Sequence, residues 1–248
     1  MLCCIIHSWV NMSTPNRKNR FAFVIPVYNH AGTVAQVVAE AQALGFPVFV
    51  IDDGSTYNTY DQIKETEGIK ILRHEQNQGK GAAIMTGFTA AEAVADWAIT
   101  IDADGQHYPE DAQKLIKAIP KKTRPIIVGA RDYIPGEHVP WTSSFGRKFS
   151  NFWVRTSGGP AISDSQSGFR IYPLPEALNL KTKSRRFQFE VEILVHAKRN
   201  GISVIEAPVR VNYNPQGARI SHFRPFVDFL RNSSTFTRLI FRRIFLLK

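Results

Sequence analysis

Trp97-Ala98-Ile99-Thr100-Ile101-Asp102-Ala103-Asp104-Gly105-Gln106-His107 is an apolar run that breaks directly into two acids and a glycine turn. A short apolar run bounded by turn residues reads as an interior strand, so Asp102 and Asp104 stand at a strand's carboxyl end. Ligands of open α/β sheets bind there, near the point where strand order reverses. The pattern recurs on either side. Phe21–Val27 reads as a first buried strand, and a helix over Thr33–Leu44 follows, with Val34, Val37, Val38, Ala41 and Leu44 at helical spacing and Gly45 as its stop. Pro47–Ile51 is a second strand ending on Asp52-Asp53-Gly54-Ser55, Ile69–Arg73 a third, and Gly79–Val94 an alanine-rich helix. Further on, Pro125–Gly129 and Ile202–Val211 read as strands and Phe187–Arg199 as a helix. Strands alternating with crossover helices predict an α/β fold with a Rossmann-like, mostly parallel central sheet flanked by helices.

The 248 residues suit one large domain with a short appendage. We divide them into a flexible N-terminal leader (1–20), a main domain (21–215) and a basic amphipathic tail (216–248). With 44% hydrophobic and 21% charged residues, wholesale disorder is disfavoured. The net charge of +10 points to an anionic partner: nucleic acid, an acidic membrane or a phosphorylated substrate. Cys3 and Cys4 are adjacent, too close for an ordinary disulfide and without a second pair for zinc, which fits a reducing compartment. Met1–Val10 is apolar but too short to span a bilayer and has no basic residue before it. A start of translation at Met12 accounts for this stretch more simply than a functional leader.

Asp102 and Asp104, at i and i+2, can aim both carboxylates into one crevice, where they repel. A divalent cation relieves that cost, and Mg2+ or Mn2+ takes one or two protein carboxylates and completes its shell with substrate phosphates and water. Such a site suits a diphosphate, with Gln106 as a neutral oxygen donor. The plainer alternative is turn chemistry, with Asp102 as a cap, Asp104-Gly105 as a turn and His107 exposed. Gly79-Lys80-Gly81 is not a P-loop, because no earlier glycine is correctly placed and Ala82 follows.

The series Val24-Ile25-Pro26-Val27-Tyr28-Asn29, Ile51-Asp52-Asp53-Gly54-Ser55, Asn77-Gln78-Gly79-Lys80-Gly81, Asp102-Ala103-Asp104-Gly105-Gln106 and Ser167-Gly168-Phe169-Arg170 resembles the family 2 glycosyltransferases. Within them it is most similar to the dolichyl-phosphate mannose synthase-like, polyprenyl-phosphate branch. The match runs from about Phe21 to Tyr213, in order. The resemblance implies the GT-A fold, a metal held by Asp102, Asp104 and Gln106, and inversion at the anomeric carbon. It places Pro26, Tyr28, Asn29 and the Asp52/Asp53 pair at the nucleoside, and Lys80 near the nucleotide at a helix N-terminus, a solvent-facing lysine being the alternative. Asp164–Arg170 falls at the acceptor-side loop, where Arg170 could clamp a phosphate bidentately. Arg131 and Arg147 are weaker clamp candidates, each of which, taken alone, reads rather as a surface charge. Glu190 could orient an acceptor or a basic side chain, or lie on a solvated helix face. The chain departs from the pattern at His30, where many members of the branch carry Glu, so UDP and GDP both stay open.

The tail interleaves Arg219, Arg224, Arg231, Arg238, Arg242, Arg243 and Lys248 with Phe223, Phe226, Phe229, Leu230, Phe236, Leu239, Ile240, Phe241, Ile244, Phe245, Leu246 and Leu247. This is a basic amphipathic helix that either lies on an anionic bilayer or packs back on the domain. No recognition motif accompanies it, which disfavours nucleic acid as the partner. The expected activity is metal-dependent sugar transfer from a UDP- or GDP-sugar to a polyprenyl phosphate or other lipid-linked acceptor, on the cytoplasmic, inner face of the membrane. A phosphate acceptor needs no general base, whereas a hydroxyl would need one, with Asp164 the candidate. A membrane-associated nucleotide-sugar-binding or scaffold protein without turnover is the alternative.

Overall fold

The computed structural model describes residues 20–132, 141–212 and 225–245, the side chains of 141–145, 225–232 and 242 excepted. The leader up to residue 19, the boundary at 215/216, Tyr213, Arg219, Phe223, Arg224 and residues 246–248 lie outside the described residues. In chain order the elements are β1 (Phe21–Val27), α1 (Val34–Gln42), β2 (Val48–Asp52), β3 (Ile69–Arg73), α2 (Lys80–Ala91), β4 (Trp97–Thr100), α3 (Ala112–Lys117), β5 (Ile126–Arg131), α4 (Trp141–Thr156), β6 (Arg170–Pro173), α5 (Phe189–Arg199), β7 (Val204–Val209) and α6 (Pro225–Phe245).

The strands form one sheet in the order β3-β2-β1-β4-β6-β5-β7, parallel except for β6, which runs antiparallel to β4 and β5. Every residue of β1 is buried, as a central parallel strand covered on both faces requires. Phe21, Phe23, Ile25 and Val27 pack on one side with Val34, Val37, Val38 and Ala41 of α1 and Ala112 and Leu115 of α3. Ala22 and Val24 pack on the other with Ala83, Ile84 and Phe88 of α2 and Phe189, Ile193 and Leu194 of α5.

From β1 the chain steps outward to β2 and β3 on one flank and returns to β4 on the other. The carboxyl ends of β1 and β4 therefore flank a topological switch point, where such sheets open a ligand crevice. Tyr28, Asn29, Asp102 and Asp104 all follow these two strand ends.

One element departs from expectation, and a second takes one of the two courses expected of it. Arg170 opens β6, so the Ser167–Arg170 motif is the lead-in to an interior strand rather than a loop throughout. The tail joins the domain through α6, whose Phe236 and Leu239 are buried against Val154 of α4 and Val191 and Val195 of α5. Arg238 of α6 donates to the buried Glu192 at 2.8 Å, and Arg199 donates to the Leu239 carbonyl at 2.8 Å. Packing back on the domain thus holds for this face of the helix.

Candidate active site

The turn after β4 is built largely by its neighbours. Thr100 Oγ1 donates to the Gly168 carbonyl at 2.8 Å, and the Thr33 hydroxyl donates to the Ala103 carbonyl, so Ala103 points inward and its acidic neighbours do not. Gly105 has φ +73°, a conformation glycine adopts without strain. The Gln106 N–H donates to Asp104 Oδ1 at 3.0 Å, and its carbonyl accepts from the Asn212 N–H at 2.8 Å. Turn chemistry therefore uses one oxygen of Asp104. Asp102 is no cap, because both of its oxygens face the Lys80 ammonium, at 2.6 and 2.9 Å.

Lys80 opens α2 and also pairs with Glu190 in the first turn of α5. Its side chain is only 13% exposed, so the solvent-facing alternative fails, while Glu190 does orient a basic side chain. Gly168 makes this close approach possible. A Cβ there would run into the Asp102 carboxylate and sit 2.7 Å from Lys80 Nζ.

The electrostatics of the two acids diverge. Burial opposes charge on Asp102, but the Lys80 ammonium outweighs it and holds the carboxyl below its ordinary range. Asp104 is pushed up, by burial first and then by the charge of Asp102. His107 is buried rather than exposed, its ring 5.5 Å from that of Phe169, and burial lowers its pKa beside the acids. His30, which the sequence presents only as a departure from a family pattern, lies near enough to favour the charged form of Asp102.

On the β1 side, Pro26 is buried in register with Ile51, and Tyr28 and Asn29 emerge half-buried at the strand end. Asn29 has φ +54°, rare for a non-glycine residue. Its N–H donates to Ser55 Oγ at 3.0 Å and its Oδ1 accepts from the Thr56 N–H at 2.9 Å, which ties the two loops together.

The Asp52/Asp53 pair does not offer its carboxylates to a nucleoside, because both are turned inward. Asp52 is fully buried, accepts from the Ser55 N–H at 2.9 Å, and lies 3.1 Å from Arg73 Nε. That Arg73 contact is an ion pair without a well-directed hydrogen bond. Asp53 accepts from the Gln78 N–H at 2.9 Å and the Gly79 N–H at 2.7 Å, and pairs with His74 Nδ1 at 2.7 Å. It fixes the start of α2 and, through it, the position of Lys80.

The basic residues also change role. Arg131 grips Asp164 bidentately, Nε at 2.6 Å and Nη2 at 2.8 Å, with Arg147 4.0 Å away. Both arginines are mostly buried and converge on one acid, so neither is an isolated surface charge. Burial would raise the Asp164 carboxyl, yet Arg131 dominates and holds it below the usual range, which makes it a poor general base.

Arg170 is no phosphate clamp. It is wholly buried, and its guanidinium donates to the carbonyls of Ser167 (2.6 Å), Ser165 (2.8 Å) and Glu190 (2.8 Å) and to the Tyr172 hydroxyl (3.2 Å). It braces the loop before β6 and the start of α5. The close approach that Gly168 permits is what a glycine in this motif suggests, whereas the burial of His107 was not assignable from spacing, because it depends on a contact with Phe169 from a distant segment.

Residues 22–175 match the family model described as Glycosyl transferase family 2. The chain is 33% identical to a UDP-N-acetylglucosamine–dolichyl-phosphate N-acetylglucosaminyltransferase of Methanococcus voltae, covering 77% of this chain and 84% of that one. It is 27% identical to a polyprenol monophosphomannose synthase of Mycolicibacterium smegmatis, covering 79% of each. Its fold matches glucosyl-3-phosphoglycerate synthase of Mycobacterium tuberculosis, solved with Mn2+, UDP-glucose and phosphoglyceric acid. The TM-score is 0.63 at 17% identity, over 91% of this chain and 79% of that one. The architecture is the GT-A fold.

Proposed function

This chain belongs to glycosyl transferase family 2, and from that premise we propose that it transfers a sugar from a UDP- or GDP-sugar to a polyprenyl phosphate, with inversion and with a divalent cation at the acidic turn. The observation that carries the reading is Asp104: a carboxylate pushed up by burial and by Asp102, which among the described residues has a Gln106 N–H as its hydrogen-bond donor and no cationic side chain paired to it. No cluster of three or more His, Cys, Asp or Glu among the described residues could hold a metal by itself. Mg2+ or Mn2+ accepts two carboxylates and takes the rest of its shell from substrate phosphates and water.

Asp102 and Asp104, with Gln106 as the neutral donor, would hold the cation, which would supply Lewis-acid charge to the departing diphosphate. The protein's own residues do the positioning. Tyr28, Asn29 and the Ser55–Thr56 loop wall the donor side of the crevice, and Lys80 brings a positive charge beside Asp102. Asp164 stays ionised in the grip of Arg131, an arrangement suited to an acceptor that arrives already deprotonated. A phosphate oxygen is such a nucleophile and needs no base. The names of the relatives, which act on dolichyl and polyprenol carriers, support the same acceptor class.

No helix of the described residues is long and apolar enough to cross a membrane. Yet Phe241, Ile244 and Phe245 of α6 are 57–65% exposed, as is Phe152 of α4 at 60%. With the exposed Arg243 beside them, they support peripheral attachment to an anionic bilayer at the inner face of the membrane. The triple variant Phe241→Ser/Ile244→Ser/Phe245→Ser is expected to lower partitioning onto anionic vesicles by at least about tenfold. Equal flotation of parent and variant would remove this role.

Thermal-shift titration with UDP, GDP and their sugars, each with and without Mn2+, tests the donor reading. Ligand that binds only the native state raises the melting temperature. We expect stabilisation by one nucleotide series that grows when Mn2+ is present; no metal-dependent shift from either series would sink it.

A further inference from the structure

We propose that Lys80 is the resident counter-ion of the acidic turn, and that its transfer from Asp102 to an incoming diphosphate couples cation binding to donor binding. The inference rests on the metal–diphosphate reading above and deepens it. Both oxygens of Asp102 face the ammonium, at 2.6 and 2.9 Å, so the carboxylate that would take a cation is already neutralised. The ammonium has a second anchor in Glu190, whose side chain is 8% exposed and whose backbone carbonyl is held by Arg170. Asp53 pins the start of α2, and Gly168 leaves no space for a side chain above the pair.

One side chain is thus cradled between two acids, Asp102 and Glu190. A divalent ion at Asp102 would face the ammonium that Asp102 already holds, and like charges so placed, away from bulk water, repel strongly. A diphosphate would offer the ammonium a new anionic partner, within reach of a side chain that Glu190 keeps nearby, and would leave Asp102 free for the cation. Cation affinity is therefore low in the free protein and rises with the diphosphate, and by reciprocity the diphosphate binds more tightly in the presence of the cation.

Mn2+ binding, followed by electron paramagnetic resonance with and without UDP or GDP, tests this on the full chain. The parent is expected to bind Mn2+ at least about tenfold more tightly with its nucleoside diphosphate. Lys80→Met, which keeps length but removes charge, is expected to bind Mn2+ about tenfold more tightly than the parent without nucleotide, and to gain little when nucleotide is added. Lys80→Arg retains the parental pattern. Because Lys80→Met leaves two acids unpaired, Glu190→Gln is the second arm. With that partner neutral, the ammonium rests on Asp102 alone, and Mn2+ affinity in the free protein drops below the parent's.

If Lys80→Met and Glu190→Gln both keep the parental affinity and nucleotide enhancement, the counter-ion role is overturned while the metal reading stands. If the parent binds no Mn2+ with either nucleotide, the metal reading fails and carries this inference with it.

Discussion

Asp104→Ala is expected to lower sugar transfer by at least about 10²–10³-fold while leaving the fold intact, because the fold takes from this carboxylate a single turn hydrogen bond and the charge it removes serves the site. Its carboxylate accepts from the Gln106 N–H and is raised by burial and by the neighbouring charge of Asp102. A carboxyl with a raised folded-state pKa helps stability at low pH and loses that contribution as pH rises through the folded value. The penalty on the charged form offsets part of the Gln106 hydrogen bond that the alanine variant loses, so the variant is expected to melt close to the parent. Asp102→Ala should differ, since it leaves the buried Lys80 ammonium with Glu190 alone. Transfer assays and thermal melts on the two variants separate the roles. Parental activity in Asp104→Ala with metal chelated would refute the mechanism.

Arg170→Met is expected to cost about 3–5 kcal/mol of folding stability, because it leaves the carbonyls of Ser165, Ser167 and Glu190 without a donor in a dry interior. In a domain of this size that is a drop of roughly 10 °C or more in melting temperature. Urea denaturation reads it directly. Activity per folded molecule falls as well, since Glu190 and the Gly168 turn shift with the lost brace. The alternative, a phosphate clamp, predicts a raised donor KM at unchanged stability, and that outcome would restore the role the sequence suggests for this arginine.

The contrast between these residues shows where sequence is informative. Strands β1, β2 and β4 were legible because each is a short apolar run ended by turn residues, and burial on both faces leaves no other periodicity, whereas β3, at the sheet edge, is only partly buried. Their carboxyl ends located the crevice. By contrast β6 is only four residues long and opens on an arginine, whereas α4 carries Trp141, Phe145, Phe149, Phe152 and Trp153 at helical spacing, a signal present in the sequence. Neither was foreseen.

Within the site, acids at strand ends were readable, but not which way they face. Asp102 and Asp104 look into the crevice, whereas Asp52 and Asp53 look into the protein. The difference arises from Ser55, His74, Gln78 and Gly79 for one pair and from Lys80 for the other. Those partners are up to 26 residues away in sequence, beyond any local pattern. The same holds for Arg131 and Asp164, 33 residues apart, which the sequence presents as unrelated candidates. For the tail, the sequence left bilayer and domain packing level. The structure buries Phe236 and Leu239 against the domain and leaves Phe241, Ile244 and Phe245 exposed.

The most direct test of the central claim is transfer of a labelled sugar from UDP- and GDP-sugars to polyprenyl phosphate in anionic vesicles, with Mn2+ or Mg2+ and again with chelator. The account predicts label in the lipid fraction from one of the two nucleotide series, lost on chelation and recovered when the ion is restored. Transfer that proceeds undiminished with the metal removed, or label that reaches only water-soluble hydroxyl acceptors, would contradict it.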